Sequence, residues 1–435
     1  MALLVLQLSD IHFTTRFNDD RKLHDDVQRE LLTDLRKLRE DLGRPVEAIT
    51  ITGDIAFAGK RTDYELAAQW LDQVIEICGC AHTAVLTVPG NHDADRDRLY
   101  MSAKLVHRRL RTAAGPAAQS ELLALANNGD PVLLDKFQDY QVFAACYGTR
   151  FTSSTTPSWS RRFQLSPTSA IDFVGLSTVQ VCDADDEIGG MFLGNHQYVV
   201  SRTPNVETIV LMHHPVEWLK DRTEAETYLS SRAKVLIYGH EHVQKLRKVE
   251  ENGYERLILG SGAVTPEHAA DPYMYRYNLL SFEHGTVNGA HSLDVTVYPR
   301  LWGRDATAFQ PDWSACGGQT SKTFQLVSAQ FGQPQPTPAV QRAAPKVPPL
   351  ETTVPCSDLA RLKHFYWRRL EWRTRIKLLL RISTLPPAPE APLPPEVEAA
   401  ALDEAEARNK LRDLWDLVME QLPEMERLQN PFPEG

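Results

Sequence analysis

Asn91, His92 and Asp93 follow a Pro-Gly turn in the segment VPGNHDADR, residues 88–96. An amide oxygen, an imidazole and a carboxylate in consecutive positions suit metal coordination and proton transfer better than packing. Four other apolar runs end in the same kinds of donor. LLVLQLS leads into Asp10-Ile11-His12, and AITIT into Gly53-Asp54. ETIVLM leads into His213-His214-Pro215, and KVLIY into Gly239-His240-Glu241-His242. Asp and Asn are common in turns for local reasons alone, but five runs ending this way point to shared chemistry. Mixed carboxylate, amide and imidazole donors suit divalent cations of intermediate hardness. One bridging carboxylate would hold two such ions roughly 3.5–4 Å apart, the spacing used for in-line attack on phosphorus.

The elements that must position these groups read as alternating strands and helices. Between LLVLQLS and AITIT lies DDVQRELLTDLRKLRED, with apolar residues at helical spacing. TDYELAAQWLDQVIEIC then precedes TAVLTVPG, completing a βαβαβ pattern. Open α/β sheets place ligands beyond the carboxyl ends of their strands, where these donors fall. Residues 99–162 read as a helical insertion over one edge of the sheet. Strand-like runs resume at AIDFVGLS, ETIVLM and KVLIYG, and those between Glu255 and Val327 suggest a second, mostly antiparallel sheet.

The ordered set Asp-x-His, Gly-Asp, Gly-Asn-His-Asp, His-x-Pro and Gly-His-x-His resembles the motifs of the calcineurin-like metallophosphoesterase family, over residues 3–330. The opening segment is similar to its bacterial cyclic-nucleotide phosphodiesterase branch. The resemblance implies a four-layer α/β/β/α sandwich and two bound divalent cations, manganese first, with iron, zinc or nickel also suited to the donors. It implies that Asp10, His12 and His242 hold one ion, that Asn91, His213 and His240 hold the other, and that Asp54 bridges them. His92 would face the phosphate and protonate the leaving oxygen or stabilise the transition state, with Asp93 orienting its ring, and a metal-bound hydroxide would attack. The family pattern selects His213 over His214, which would touch substrate or simply pack. Gly-Asn-His recurs at residues 194–196 without a preceding strand or a following acid, and reads as a turn. His24, His82, His107, His268, His284 and His291 lack motif context and read as surface or satisfied core residues. Arg96 reads as a solvated loop charge.

The chain has 435 residues, net charge −10 and 42% hydrophobic residues, enough for a large core. The charge argues against salt-sensitive coating of nucleic acid without excluding nucleic acid as a substrate. Six scattered cysteines without a CxxC pair fit reduced thiols and a cytoplasmic location. The opening MALLVLQLSD reads as a strand rather than a signal peptide, and no run is long enough for a membrane helix.

Residues 331–355 are proline-dense and read as a linker. Beyond them, 356–435 reads as an all-α module. Its residues 358–381 carry eight Lys or Arg against two acids, and 396–435 carry eleven acids against four Lys or Arg. These oppositely charged helices could pair with each other, with a second copy or with a protein partner. The module is similar to the helical adaptor domains attached to bacterial conflict and signalling effectors; a structural cap is the other reading. Its aromatics around Trp367 and Trp372 fit a packed helix face at least as well as nucleic acid. The whole reads as a phosphoesterase acting on a diester, possible substrates including a cyclic nucleotide. A nuclease recruited by its adaptor and a non-catalytic scaffold on the same fold are the alternatives.

Overall fold

The computed structural model describes residues 2–15, 21–151, 157–251, 253–266, 274–303, 308–332, 356–370, 372–382, 384, 395–422 and 427–432. The expected linker, from residue 333 on, lies outside the described residues, as does His268. The chain divides into two compact units, Met1–Gln141 with Thr149–Pro336, and Val142–Gly148 with Thr337–Gly435.

The first unit has 13 strands: β1 (Leu3–Leu8), β2 (Ala48–Thr52), β3 (Val85–Val88), β4 (Ser158–Ser166), β5 (Ser169–Leu176), β6 (Val206–Leu211), β7 (Val235–Tyr238), β8 (Lys245–Glu251), β9 (Tyr254–Gly260), β10 (Arg276–Val287), β11 (Ala290–Trp302), β12 (Phe309–Pro311) and β13 (Lys322–Val327). One sheet runs β12-β11-β10-β1-β2-β3, with β13 also on β11, and the other runs β4-β5-β6-β7-β9-β8. Val5, Leu86, Phe282 and Val295 of the first sheet share one buried core with Phe173, Leu211, Ile237 and Leu259 of the second. Helices cover the outer faces, giving an α/β/β/α sandwich. In the helix Arg61–Cys78, the residues Tyr64, Ala67, Ala68, Leu71, Val74, Ile75 and Cys78 are buried at helical spacing. Gly79 ends that helix in the left-handed region at φ 74°, its N–H returning to the Ile75 carbonyl.

Two expectations about the sheets are corrected. Residues after Glu255 do not make a separate antiparallel sheet. β9 joins β7 in parallel in the second sheet, whereas β10 pairs antiparallel with β1 in the first. The second sheet is parallel through β5, β6, β7 and β9. β1 therefore lies between β2 and β10, buried along its whole length. That explains its continuous apolar run, because a strand covered on both faces shows no alternation. The region expected as a helical insertion does hold the helices Met101–Thr112 and Gly115–Asn127, but its last five residues belong to β4. Buried Arg111 fastens this region to the loop after β5 through Asp183 at 2.8 Å and Asp186 at 3.2 Å.

In the second unit, the helices Cys356–Arg369, Trp372–Arg381, Pro395–Ala407 and Leu411–Glu420 surround fully buried Trp415. The opposite charges meet inside this unit. Arg375 Nε donates to Glu398 Oε2 at 2.8 Å, both side chains being buried, and Lys363 reaches Asp403 at 3.2 Å. Trp367 is buried, with the Arg375 guanidinium 5.0 Å from its ring centroid; the Trp372 side chain lies outside the described residues. The five cysteines described as to pairing are all free, and no helix among the described residues is long and apolar enough to cross a membrane.

Candidate metal centre

Each donor-bearing strand, β1, β2, β3, β6 and β7, stays buried to its last residue and then turns, bringing its donor back over the sheet edge. Asp10, His12, Asp54, His240 and His242 all adopt left-handed backbone, with φ from 52° to 66°. This is unusual for residues other than glycine, although Asp and His tolerate it better than most. The loops hold one another in place: Asp10 N donates to Gly53 O at 3.0 Å, and Gly239 N to His213 O at 3.0 Å. Gly90 is required by close approach, because a Cβ there would lie 2.1 Å from Asp54 Oδ1 and 2.4 Å from Asp54 N.

The seven expected ligand residues converge. Asp10 Oδ1 lies 3.3 Å from His242 Nε2. Asp54 Oδ2 lies 3.9 Å from His12 Nε2 and 3.4 Å from His213 Nε2. Asn91 Oδ1 is 2.9 Å from His213 Nε2 and 3.1 Å from His240 Nδ1. Four overlapping donor clusters result, each spanning at most 4.8 Å: Asp10-His12-His242, Asp10-Asp54-His213, His12-Asp54-His92 and His213-His214-His240. Asp54 belongs to two of them. Both ring nitrogens of buried His12 lack a hydrogen-bond partner, which is costly unless a cation or water takes one of them. The donor set and this orphaned imidazole fit divalent cations.

Electrostatics accords with that fit. Burial opposes charge on Asp10 and Asp54, but the surrounding histidines outweigh it and hold both carboxyls below their ordinary range. Burial, reinforced by neighbouring histidines, lowers His12 and His240 to about 3, so both rings are neutral at pH 7 and able to serve as ligands. His213 differs. Burial disfavours its charge, yet Asp54, Asp10 and the Thr52 carbonyl raise it to about 9. Its Nδ1 faces Thr52 O at 2.8 Å, which leaves Nε2 for a ligand.

The geometry corrects the role expected of Asp93, which does not orient the His92 ring. Its carboxylate accepts from Gly90 N at 2.8 Å, Ala56 N at 2.9 Å, Ile55 N at 3.1 Å and Tyr64 Oη at 2.9 Å. It therefore ties the Asn91 turn to the loop carrying Asp54. Burial, then the Asp54 charge, raises Asp93 to about 6. The His92 ring is held instead by the Phe57 carbonyl, 2.9 Å from Nδ1. A backbone carbonyl leaves no mark in sequence.

His214 is fully buried with Nδ1 3.0 Å from Thr178 Oγ1, while its Nε2 has no hydrogen-bond partner. It packs against His240, their ring centroids 4.4 Å apart, and Trp218 meets His240 edge-on at 4.2 Å. Neither Trp218 nor Tyr64 carried any signal in the motifs. Asn195–Tyr198 forms a short helix away from the donor clusters, pinned by Gln197 to the Ser177 backbone. His107 Nε2 faces the Val132 carbonyl, His284 meets His291, His82 lies 3.6 Å from Asp72, and Arg96 is exposed.

A family model of calcineurin-like phosphoesterases matches residues 3–244, more than half of the chain. Among solved structures, purple acid phosphatase PPD1 from yellow lupin (Lupinus luteus) seeds is 11% identical with TM-score 0.41, covering 75% of this chain and 54% of that one. A predicted phosphoesterase from Streptococcus pneumoniae TIGR4 is 12% identical with TM-score 0.29, covering 75% and 98%. Wild-type Vps29 complexed with zinc from Entamoeba histolytica is 12% identical with TM-score 0.31, covering 74% and 99%. No curated protein matches the chain. By the match of its family model, the chain belongs to the calcineurin-like phosphoesterases.

Proposed function

We propose that the chain hydrolyses a phosphodiester, a cyclic nucleotide being the favoured kind, and that it depends on two divalent cations. The observation that carries this reading is the position of Asp54, shared between the Asp10-His213 and His12-His92 donor clusters. Asp10, His12 and His242 would hold one cation and Asn91, His213 and His240 the other, with Asp54 between them. Manganese is the first candidate, and iron, zinc or nickel also suit the donors. When bound, such cations supply Lewis-acid charge for phosphate oxygens and make a water acidic enough to attack near neutral pH. The residues then have separate tasks. The Phe57 carbonyl fixes one ring nitrogen of His92, leaving Nε2 to give a proton to the departing alcohol oxygen. Asp93 and Tyr64 keep the Asn91 turn and the Asp54 loop in register.

The test is hydrolysis of bis(p-nitrophenyl) phosphate by protein stripped with chelator and reloaded with Mn²⁺. Activity should vanish on chelation and return with metal. Asp54→Asn should abolish it. His92→Ala should keep both metals while turnover falls by about 10²–10⁴-fold, the usual range for a lost proton donor. If the reloaded protein is inactive on mono- and diesters alike, a non-catalytic scaffold replaces this reading.

A further inference from the structure

Beside the metal centre lies a cavity of about 210 Å³ whose wall includes His12 and Thr265, with Gln28, Gln69, Trp70 and Gln73 from the two helices outside the first sheet. At about 30 Å³ per water it holds roughly seven waters, the size of a single ring. One of its polar groups is buried and unused, and a second lines the cavity without a partner. The Thr265 hydroxyl has no partner and its residue is 2% exposed. Gln28 is 9% exposed; its backbone carbonyl receives the Trp70 indole N–H at 3.4 Å, but its side-chain amide makes no hydrogen bond among the described residues. A folded chain rarely leaves buried polar groups unsatisfied without a ligand, water or ion in mind. Thr265 is also joined to the site through its backbone, its N–H donating to the Asp10 carbonyl at 2.9 Å.

We propose that this cavity takes the nucleobase, of pyrimidine size, carried by the ester that the metal centre cleaves. The inference rests on the phosphodiesterase reading and names the class of its substrate. Glutamine amides each offer donor and acceptor groups, matching the mixed edge of a base, and the Thr265 hydroxyl can donate or accept. Trp70 adds an apolar wall, the mixture that ring-binding pockets use. A simple alkyl ester would leave the buried Thr265 hydroxyl unpaired, so the cavity discriminates by hydrogen bonding rather than by size alone.

Two diesters with the same leaving group test this: thymidine 5′-(p-nitrophenyl) phosphate and bis(p-nitrophenyl) phosphate. The wild type should favour the thymidine ester by at least about tenfold in kcat/KM. In Gln28→Leu, and in Thr265→Val, which preserves volume, that preference should fall about tenfold per variant, chiefly through KM. An unchanged preference in both variants overturns the inference. Should neither ester be cleaved, the catalytic reading fails by itself. The cavity is then read by calorimetric titration of thymidine 5′-phosphate into the Mn²⁺-loaded proteins. Binding weakened about tenfold in each variant upholds the base site. Equal binding in all three proteins, or none in the wild type, removes it.

Discussion

His213 shows what the centre does before metal arrives. Its Nδ1 points at the Thr52 carbonyl and its Nε2 at Asn91 Oδ1, both acceptors, so the ring is satisfied as an imidazolium. The value of about 9 expresses the same balance, because Asp54 and Asp10 outweigh the burial that opposes the charge. A cation must displace the Nε2 proton to reach that ring. His12 and His240 are neutral at pH 7, each with one ring nitrogen already unprotonated, and the two carboxylates are ionised. Metal loading at pH 7 should therefore release at least one proton per chain. Apparent affinity should rise with pH up to about 9, because below that value the proton competes and above it nothing remains to displace. Calorimetric titration with Mn²⁺ in buffers of different ionisation enthalpy measures the count, and no proton release would refute the account. His213→Ala should lower occupancy of the second site.

At the scale of elements, the loops matter more than the strands they leave. Gly90 has no room for a side chain against Asp54. The atoms a Cβ would strike include the Asp54 backbone nitrogen, which cannot swing aside. Gly90→Ala should thus move the Asp54 loop, with metal content falling well before the fold fails; overpacking of this kind costs about 1–3 kcal/mol. Metal analysis beside a melting curve separates the two, and an Ala variant retaining both metals would refute it. The strand-end motifs were legible because an apolar run followed by Asp, Asn or His marks a buried strand ending at a polar edge. Asp10, His12, Asp54, Asn91, His213, His240 and His242 do converge. What holds His92 was not legible, since the Phe57 carbonyl that meets its Nδ1 belongs to no motif. The partners of Asp93 were missed for a related reason: three of the four groups that donate to its carboxylate are backbone N–H groups. The sheet assignment of β10 was missed because pairing with β1, some 270 residues earlier, leaves no local periodicity to read.

At the scale of the whole molecule, the division into units does not follow the sequence cleanly. Val142–Gly148 belongs to the same unit as Thr337–Gly435, and its Phe143, Ala144, Cys146 and Tyr147 are buried. A chain ending near residue 336 should consequently lose melting temperature and bind a hydrophobic dye, because those side chains lose their own unit. Unchanged melting would show that the segment needs no tail. Within that unit the charges of the basic and acidic helices are partly spent on each other. Glu398→Ala should cost about 3–5 kcal/mol, the usual cost of stranding a buried partner such as Arg375. Calorimetry should show the loss in the tail's own transition.

The place of β1 has a further consequence, in time. Its neighbour β2 starts at Ala48, while β10, on its other side, starts at Arg276. At 5–20 residues per second of synthesis, one edge of the first strand waits on the order of ten seconds to a minute before its partner exists. Throughout that interval a strand apolar but for Gln7 has open N–H and C=O groups along one side, the condition in which strands recruit the wrong neighbour. His240 and His242 also emerge late, so no nascent chain that stops short of His242 carries a complete donor set. During synthesis the first sheet is thus half made and its donor set incomplete, and the growing chain depends on whatever shields that edge until the last strands arrive.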